Sequence, residues 1–191
     1  MSIRLEQALR TSETARFHTV PLARVQSVGE HVYNVTHIAM YVATIIEKTH
    51  PDIPPIDRSH IAYAGMFHDI EEGITGDLPT PLKRATNIRN EIAGLLYVKG
   101  GIPGGVPDHR VGAILKMADL VDAIRTLNFY GMTPHADRIE KELRSRLHEM
   151  AAIEFLWLGY ENRGRDLASK ILDRVFAEPM EITDNFNVVR D

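Results

Sequence analysis

From Val28 to Ile46 apolar residues return at three- and four-residue steps, at Val28, Val32, Val35, Ile38, Ala39, Val42, Ile45 and Ile46. That spacing predicts one long amphipathic helix with a single apolar stripe. Ser27 and Glu30 supply an S-x-x-E capping box for its first turn, and the PDIPP turn at 51–55 ends it. A second helix is predicted from an Asp57 cap through Ile61, Ala64, Met66 and Phe67 to a stop near Gly73. Further helical patterns cover about 86–99, 108–130, 134–158 and 164–177, with Gly100 and Gly131 as stops and Thr133-Pro134 as a cap followed by a first-turn proline. No segment alternates with period two, so the fold class is all-α, a compact helical bundle. The GGIPGGVP stretch at 100–107 reads as a loop, and the tail after about 179 as weakly anchored.

One stretch conflicts with simple packing. AGMFHDIEE, residues 64–72, falls in the last turns of the second predicted helix, yet sets a histidine beside a carboxylate among apolar residues. Burying unpaired polar groups is costly, so these side chains need a partner. A His-Asp dipeptide arises by chance too often to carry an argument alone; its companions carry the weight. His31 lies inside the first long helix, where a satisfied core histidine is the plainer reading, and Asp119 interrupts the apolar run ILKMADLVDAI, where a buried carboxylate calls for a cation. Together His31, His68, Asp69 and Asp119 offer two imidazoles and two carboxylates from three helix interiors, a donor set suited to a divalent transition metal with water positions to spare. Glu72 follows His68 by four residues and so shares its helix face. It is either a carboxylate that moves protons near the ion or a solvated helix-end glutamate.

Composition narrows the setting. The chain has 191 residues, enough for one domain spanning 1–191 with a real core. A formal charge of −4 gives no electrostatic reason to expect a nucleic-acid polymer or a membrane as partner, while leaving room for a local cationic pocket. Cysteine is absent, which removes disulfides and thiolate ligands and leaves histidine and carboxylates to hold any metal. That absence fits a reducing cytoplasm, and because the opening MSIRLEQALR alternates charged and apolar residues and no run approaches the roughly 18 apolar residues of a membrane span, neither a secretory signal nor a transmembrane segment is expected.

His31, the His68-Asp69 doublet and Asp119 match the H…HD…D signature of the HD-domain metal-dependent phosphohydrolases. RFHTVPLARVQSVGEH at 16–31, HDIEEGITGDLPTPLK at 68–83 and LKMADLVDA at 115–123 closely resemble the branch holding bacterial 5′-deoxynucleotidases and phage dATP triphosphohydrolases. The resemblance spans about residues 1–130, and TGDLPTP is its most specific string.

That resemblance implies an HD-domain bundle with a metal site between helices, a divalent cation such as zinc, cobalt or manganese, and a deoxynucleotide substrate. It implies His31, His68, Asp69 and Asp119 as ligands and Glu72 as the catalytic carboxylate, with Asp77 facing the sugar or a reactive water. Arg16 matches the arginine that reaches phosphate; Lys83 and Lys116 match basic positions near the phosphate path. Phe17 stands where relatives commonly carry Trp, which bears on exclusion of a ribose 2′-hydroxyl, though a core phenylalanine reads equally well. His18 matches the phage-type enzymes, and Pro79 and Pro81 stiffen a pocket wall or simply end a helix. The expected reaction is release of deoxynucleoside and triphosphate from dATP or another dNTP, with hydrolysis of a deoxynucleoside monophosphate as the alternative. More distant alternatives are a di-iron oxygenase, with His109 as its one plausible extra ligand, and a non-catalytic helical scaffold. His135 remains unassigned. The stripe of Ile139, Leu143, Leu147, Met150, Ala151, Phe155 and Leu156 exceeds what one core needs, so a homo-oligomer is expected.

Overall fold

The computed structural model describes residues 5–77, 79, 108–159 and 161–177. The expected helix at 86–99, the GGIPGGVP loop, Lys83, Pro81 and the tail after 179 lie outside the described residues. The described elements are α1 (Leu5–Arg10), α2 (Val28–Thr49), α3 (Arg58–Phe67), α4 (Glu72–Thr75), α5 (His109–Tyr130), α6 (Pro134–Glu154), a short 3₁₀ turn (Leu156–Leu158) and α7 (Glu161–Phe176). Among these residues there are no strands, only two isolated bridges, Ala15 with Ser27 and Leu22 with Gly131. No helix of the described residues is long and apolar enough to cross a membrane.

At the centre lies α5, buried nearly all round through Val111, Ile114, Met117, Val121 and Ile124, as expected of a helix apolar on most faces. Against it pack α2 and α6, with α3 lying on α2 and α7 on α6. One cluster joins Val35, Val42 and Ile46 of α2, Ile61 of α3, Leu147 and Ala151 of α6, and Ile171 of α7. Two glycines allow close helix approach. A Cβ at Gly65 of α3 would lie 2.6 Å from Thr36 Oγ1 of α2, and one at Gly164 of α7 would overlap the Ala151 carbonyl oxygen of α6.

The caps at Ser27, Asp57 and Thr133 form as expected, their side chains accepting from the backbone N–H groups of Glu30, His60 and Ala136. The reciprocal half of the first capping box does not form. Glu30 is instead gripped by Arg24 through two 2.8 Å hydrogen bonds. The second helix stops at Phe67 rather than near Gly73, because the His68 ring donates from Nδ1 to the Gly65 carbonyl at 2.7 Å and the chain turns through 68–71 before α4. Met66, on the outer face of α3, is 61% exposed instead of joining a buried stripe. Gly76, at φ 74°, ends α4 in a conformation that favours glycine.

The pattern at 134–158 breaks earlier than its periodicity suggests: α6 ends at Glu154, the chain folds over at Phe155 into the 3₁₀ turn, and Gly159 at φ 123° redirects it into α7, which begins at Glu161. This fold absorbs most of the stripe expected to drive oligomerisation. Leu147, Ala151 and Phe155 are in the core, Leu143 and Met150 pack against it, and Ile139 covers a smaller cluster of Val20, Leu127 and Ala136; Leu156 stays largely exposed. The short helix α1 was not signalled by the charge-alternating opening segment.

Candidate metal centre

Three elements bring the four predicted ligands to one point. His31 enters from the first turn of α2, His68 and Asp69 from the turn after α3, and Asp119 from the middle of α5. His31 Nε2 lies 3.2 Å from Asp119 Oδ1, 3.5 Å from Asp69 Oδ2 and 3.3 Å from His68 Nε2, and His68 Nε2 lies 3.5 Å from Asp69 Oδ2. His31, His68 and Asp119 each offer a ligand atom within 4.8 Å of the others. His31 and Asp69 are buried, whereas Asp119 is 46% exposed at its side chain, so the deeply buried carboxylate expected there forms the open side of the cluster instead.

The protonation pattern tests whether a cation fits. The Nδ1 of His68 faces the Gly65 carbonyl, and the Nδ1 of His31 faces Asp122 Oδ2 at 2.7 Å. A carbonyl and a carboxylate can only accept, so each Nδ1 carries the proton and each neutral ring presents the lone pair of Nε2 to the cluster. Two lone pairs and two carboxylates pointing at one another repel unless a cation lies among them. Imidazole nitrogens whose other N–H is held by a carboxylate or carbonyl are the usual arrangement of histidines bound to a metal. In the metal-free protein a proton takes that place. Burial and the nearby Arg16 charge oppose protonation of His31, yet its hydrogen bonds with Asp119, Asp122 and Asp69 outweigh them and raise its pKa to about 10.

Asp122 is a buried carboxylate beside the cluster that sequence reasoning did not single out. It is fully buried, and besides His31 it accepts from Gln26 Nε2 at 2.8 Å and Asn34 Nδ2 at 2.9 Å. Burial opposes its charge, but the His31 hydrogen bond and charge hold its carboxyl below the ordinary carboxylate value. Its signal was its place three residues after Asp119, on the same face of an apolar helix.

Around this centre the remaining predicted residues fall into two groups. Glu72 opens α4 and is 2% exposed, which removes the solvated helix-end reading. Arg16 is largely buried; its Nη1 donates to Gln26 Oε1 at 3.0 Å and lies 3.7 Å from Asp122 Oδ2, its Nη2 lies 3.9 Å from Asp119 Oδ1, and its guanidinium stacks 5.0 Å from the Phe17 ring centre. Phe17 has φ 55°, an unfavourable value for an aromatic residue, and its backbone N–H donates to Asp77 Oδ2 at 2.8 Å. Asp77 thus ties the Arg16-Phe17 segment to the loop after α4. Pro79 is half-buried just beyond it.

The others are not brought to the cluster. Lys116 is 60% exposed and donates to Glu154 Oε1 at 2.7 Å, so its ammonium is directed towards α6. His18 and His109 are exposed, and His135 is exposed beside Arg138.

The chain is similar to several known proteins in sequence and in fold. Residues 8–95 match the sequence profile of a family described as 5′-deoxynucleotidase YfbR-like. A dATP triphosphohydrolase of Salmonella phage PMBT28 is 26% identical over 152 residues, 78% of each chain. A 5′-deoxynucleotidase of Vibrio atlanticus is 40% identical over 58 residues, covering 30% of this chain and 29% of its own. The fold resembles that of the cyanophage S-2L HD phosphohydrolase DatZ, solved bound to dA and one catalytic Zn²⁺ ion, at TM-score 0.69 and 19% identity over 91% of this chain and 97% of that one. The matched segment and the phage relatives make this chain similar to the 5′-deoxynucleotidases and phage dATP triphosphohydrolases, and its fold is that of an HD phosphohydrolase.

Proposed function

We propose that this protein is a metal-dependent phosphohydrolase that releases deoxynucleoside and triphosphate from a deoxynucleoside triphosphate, with dATP as the favoured substrate. The observation that carries the reading is the meeting of His31 Nε2, His68 Nε2 and the Asp69 and Asp119 carboxylates at one point, each imidazole having its other nitrogen already engaged. These four residues hold the divalent cation, which when bound supplies Lewis acidity at the phosphate and lowers the pKa of water.

The chain's own groups do the rest. Water adds to the α-phosphorus, the bond from phosphorus to O5′ breaks, and Glu72 carries the water's proton towards the departing oxygen. Burial of Glu72 suits that role, because a carboxyl shielded from bulk water exchanges its proton with the substrate rather than with solvent. Arg16 steadies the phosphate charge from behind the metal carboxylates, held in place by Gln26 and the Phe17 ring. Asp77 fixes the Phe17 backbone and so places that ring as a wall for the deoxyribose, with Pro79 stiffening the loop beyond. The weak basic candidates Lys83 and Lys116 are assigned no step.

The second reading is a 5′-deoxynucleotidase acting on monophosphates, favoured by the profile match and by the 40% local identity to such enzymes. The two are separated by incubating protein reconstituted with zinc, cobalt or manganese with dATP and with dAMP, and resolving triphosphate from phosphate by ion exchange. Triphosphate from dATP supports the first reading; phosphate from dAMP with dATP left intact replaces it with the second. We propose further that the protein is a cytoplasmic homo-oligomer using the exposed apolar residues Met132, Ile153 and Leu156, which light scattering checks.

A further inference from the structure

We infer that Asp122 is a positioning residue for His31: its carboxylate, clamped by Gln26 and Asn34, fixes the ring with Nδ1 protonated and Nε2 turned to the metal. The inference rests on the metal-dependent reading above.

The geometry is a closed set of hydrogen bonds. Asp122 Oδ2 takes the His31 Nδ1–H at 2.7 Å and a Gln26 amide proton at 2.8 Å, while Oδ1 takes the Asn34 amide at 2.9 Å. Three donors on two oxygens leave the carboxylate no freedom to turn, and it is fully buried. A buried charge without such partners would be strongly destabilising. The spacing is paired as well: α2 supplies ligand His31 and, three residues on, the clamp Asn34; α5 supplies ligand Asp119 and, three residues on, Asp122. Each helix therefore presents a metal ligand and a fixing group on one face. Gln26 extends the set towards substrate. Arginine only donates and a carboxylate only accepts, so the Gln26 amide has one orientation, taking Arg16 Nη1–H on Oε1 and giving Nε2–H to Asp122. The phosphate-side cation and the metal-side imidazole thus hang on one carboxylate.

The test compares Asp122→Asn and Asp122→Ala with the parent protein. Co²⁺ affinity is measured by competition with a chromogenic chelator, the cobalt absorption spectrum is recorded, and the thermal midpoint of each metal-free protein is determined. Loss of the charge with an acceptor retained should weaken Co²⁺ binding about tenfold, and loss of both on the order of 100-fold, with an altered spectrum. A purely structural role would lower the metal-free midpoints while leaving the folded proteins' affinity within about twofold and the spectrum unchanged, which would overturn the assignment. Nitrogen-15 NMR of histidine-labelled, Zn²⁺-loaded parent protein decides the matter even if neither variant folds: His31 coordinated through Nε2 with a protonated Nδ1 is expected, and coordination through Nδ1 contradicts it. Parent protein that binds neither Co²⁺ nor Zn²⁺ would sink the metal-dependent reading itself, a result distinct from variants that bind as tightly as the parent.

Discussion

The Nε2 atoms of His31 and His68 face each other across 3.3 Å, so without a metal the pair is held by a proton on His31, and only when that proton leaves do both Nε2 lone pairs become available to a cation. The Gly65 carbonyl and the Asp122 carboxylate have already claimed the Nδ1 protons. A cation between the rings satisfies both lone pairs and offsets the Asp69 and Asp119 charges at once.

Metal should therefore stabilise the fold through these residues. At a free concentration a hundredfold above its dissociation constant, a cation that binds only the folded state adds about 2.7 kcal/mol. In a chain of this size that is a rise of roughly 5–10 °C in thermal midpoint. Zn²⁺ or Co²⁺ should produce that rise in the parent protein and chelator should reverse it. His68→Ala should remove the response and lower turnover by at least ~100-fold, as read by calorimetry and phosphate release.

Glu72→Gln keeps the shape of the side chain and removes its capacity to carry a proton. Metal content should stay at the parent level while kcat falls by about 10²–10⁴ and KM changes little. Equal metal content is the control that separates proton transfer from ligation, and an unchanged kcat would remove Glu72 from the mechanism.

Two glycines at helix crossings should respond differently to the same added methyl. In Gly65→Ala the new Cβ meets the stiff Thr36 side chain at 2.6 Å, between the helices that carry His31 and precede His68. Overpacking of this kind costs about 1–3 kcal/mol. Here metal affinity should fall as well, because α3 must shift away from α2. In Gly164→Ala the overlap is with a backbone carbonyl of α6, between two helices that carry none of the proposed ligands, so a larger loss of stability is expected with metal affinity per folded molecule unchanged. Denaturant melts and metal titrations on both variants check the contrast.

At the start of α5, Asp108 caps the helix and receives Arg110, whose guanidinium also donates to the carbonyls of Pro54 and Pro55. The Arg110 hydrogen bond holds the Asp108 carboxyl below its ordinary value against an opposing effect of burial. A carboxyl depressed in the folded state adds stability that is present above its unfolded value and lost as pH falls through the folded one. Asp108→Asn preserves the cap, so it isolates the charge. It should cost about 1 kcal/mol near neutral pH, with the difference from the parent shrinking below about pH 4. Urea melts across that range measure it.

The sites of the long helices were readable because apolar period, caps and prolines agree: Ser27, Asp57 and Thr133 each cap the helix predicted for them. The end of α3 was not, since the apolar pattern runs on past Phe67 while the His68 ring takes the Gly65 carbonyl, a competition that periodicity does not register. The four side chains that meet at the cluster were legible as polar residues in apolar surroundings, but burial was assigned to the wrong carboxylate of ILKMADLVDAI. Asp122 is the sealed one and Asp119 the open one, a difference set by the side of α5 that α2 covers. Gln26 lies within the string at 16–31 but, like Asn34, carries no charge and no ligand-type side chain, so nothing in one sequence singled either out. Lys116 matched a basic position near phosphate, yet its long side chain reaches Glu154, a choice made by the neighbouring helix.

The most direct measurement is anomalous diffraction at the cobalt edge from crystals of the Co²⁺-loaded protein. A single strong peak bonded to His31 Nε2, His68 Nε2 and oxygens of Asp69 and Asp119, at ligand distances of about 2.0–2.3 Å, is the predicted result. A peak elsewhere on the molecule, or one that leaves His31 or Asp119 unbound, would contradict the account.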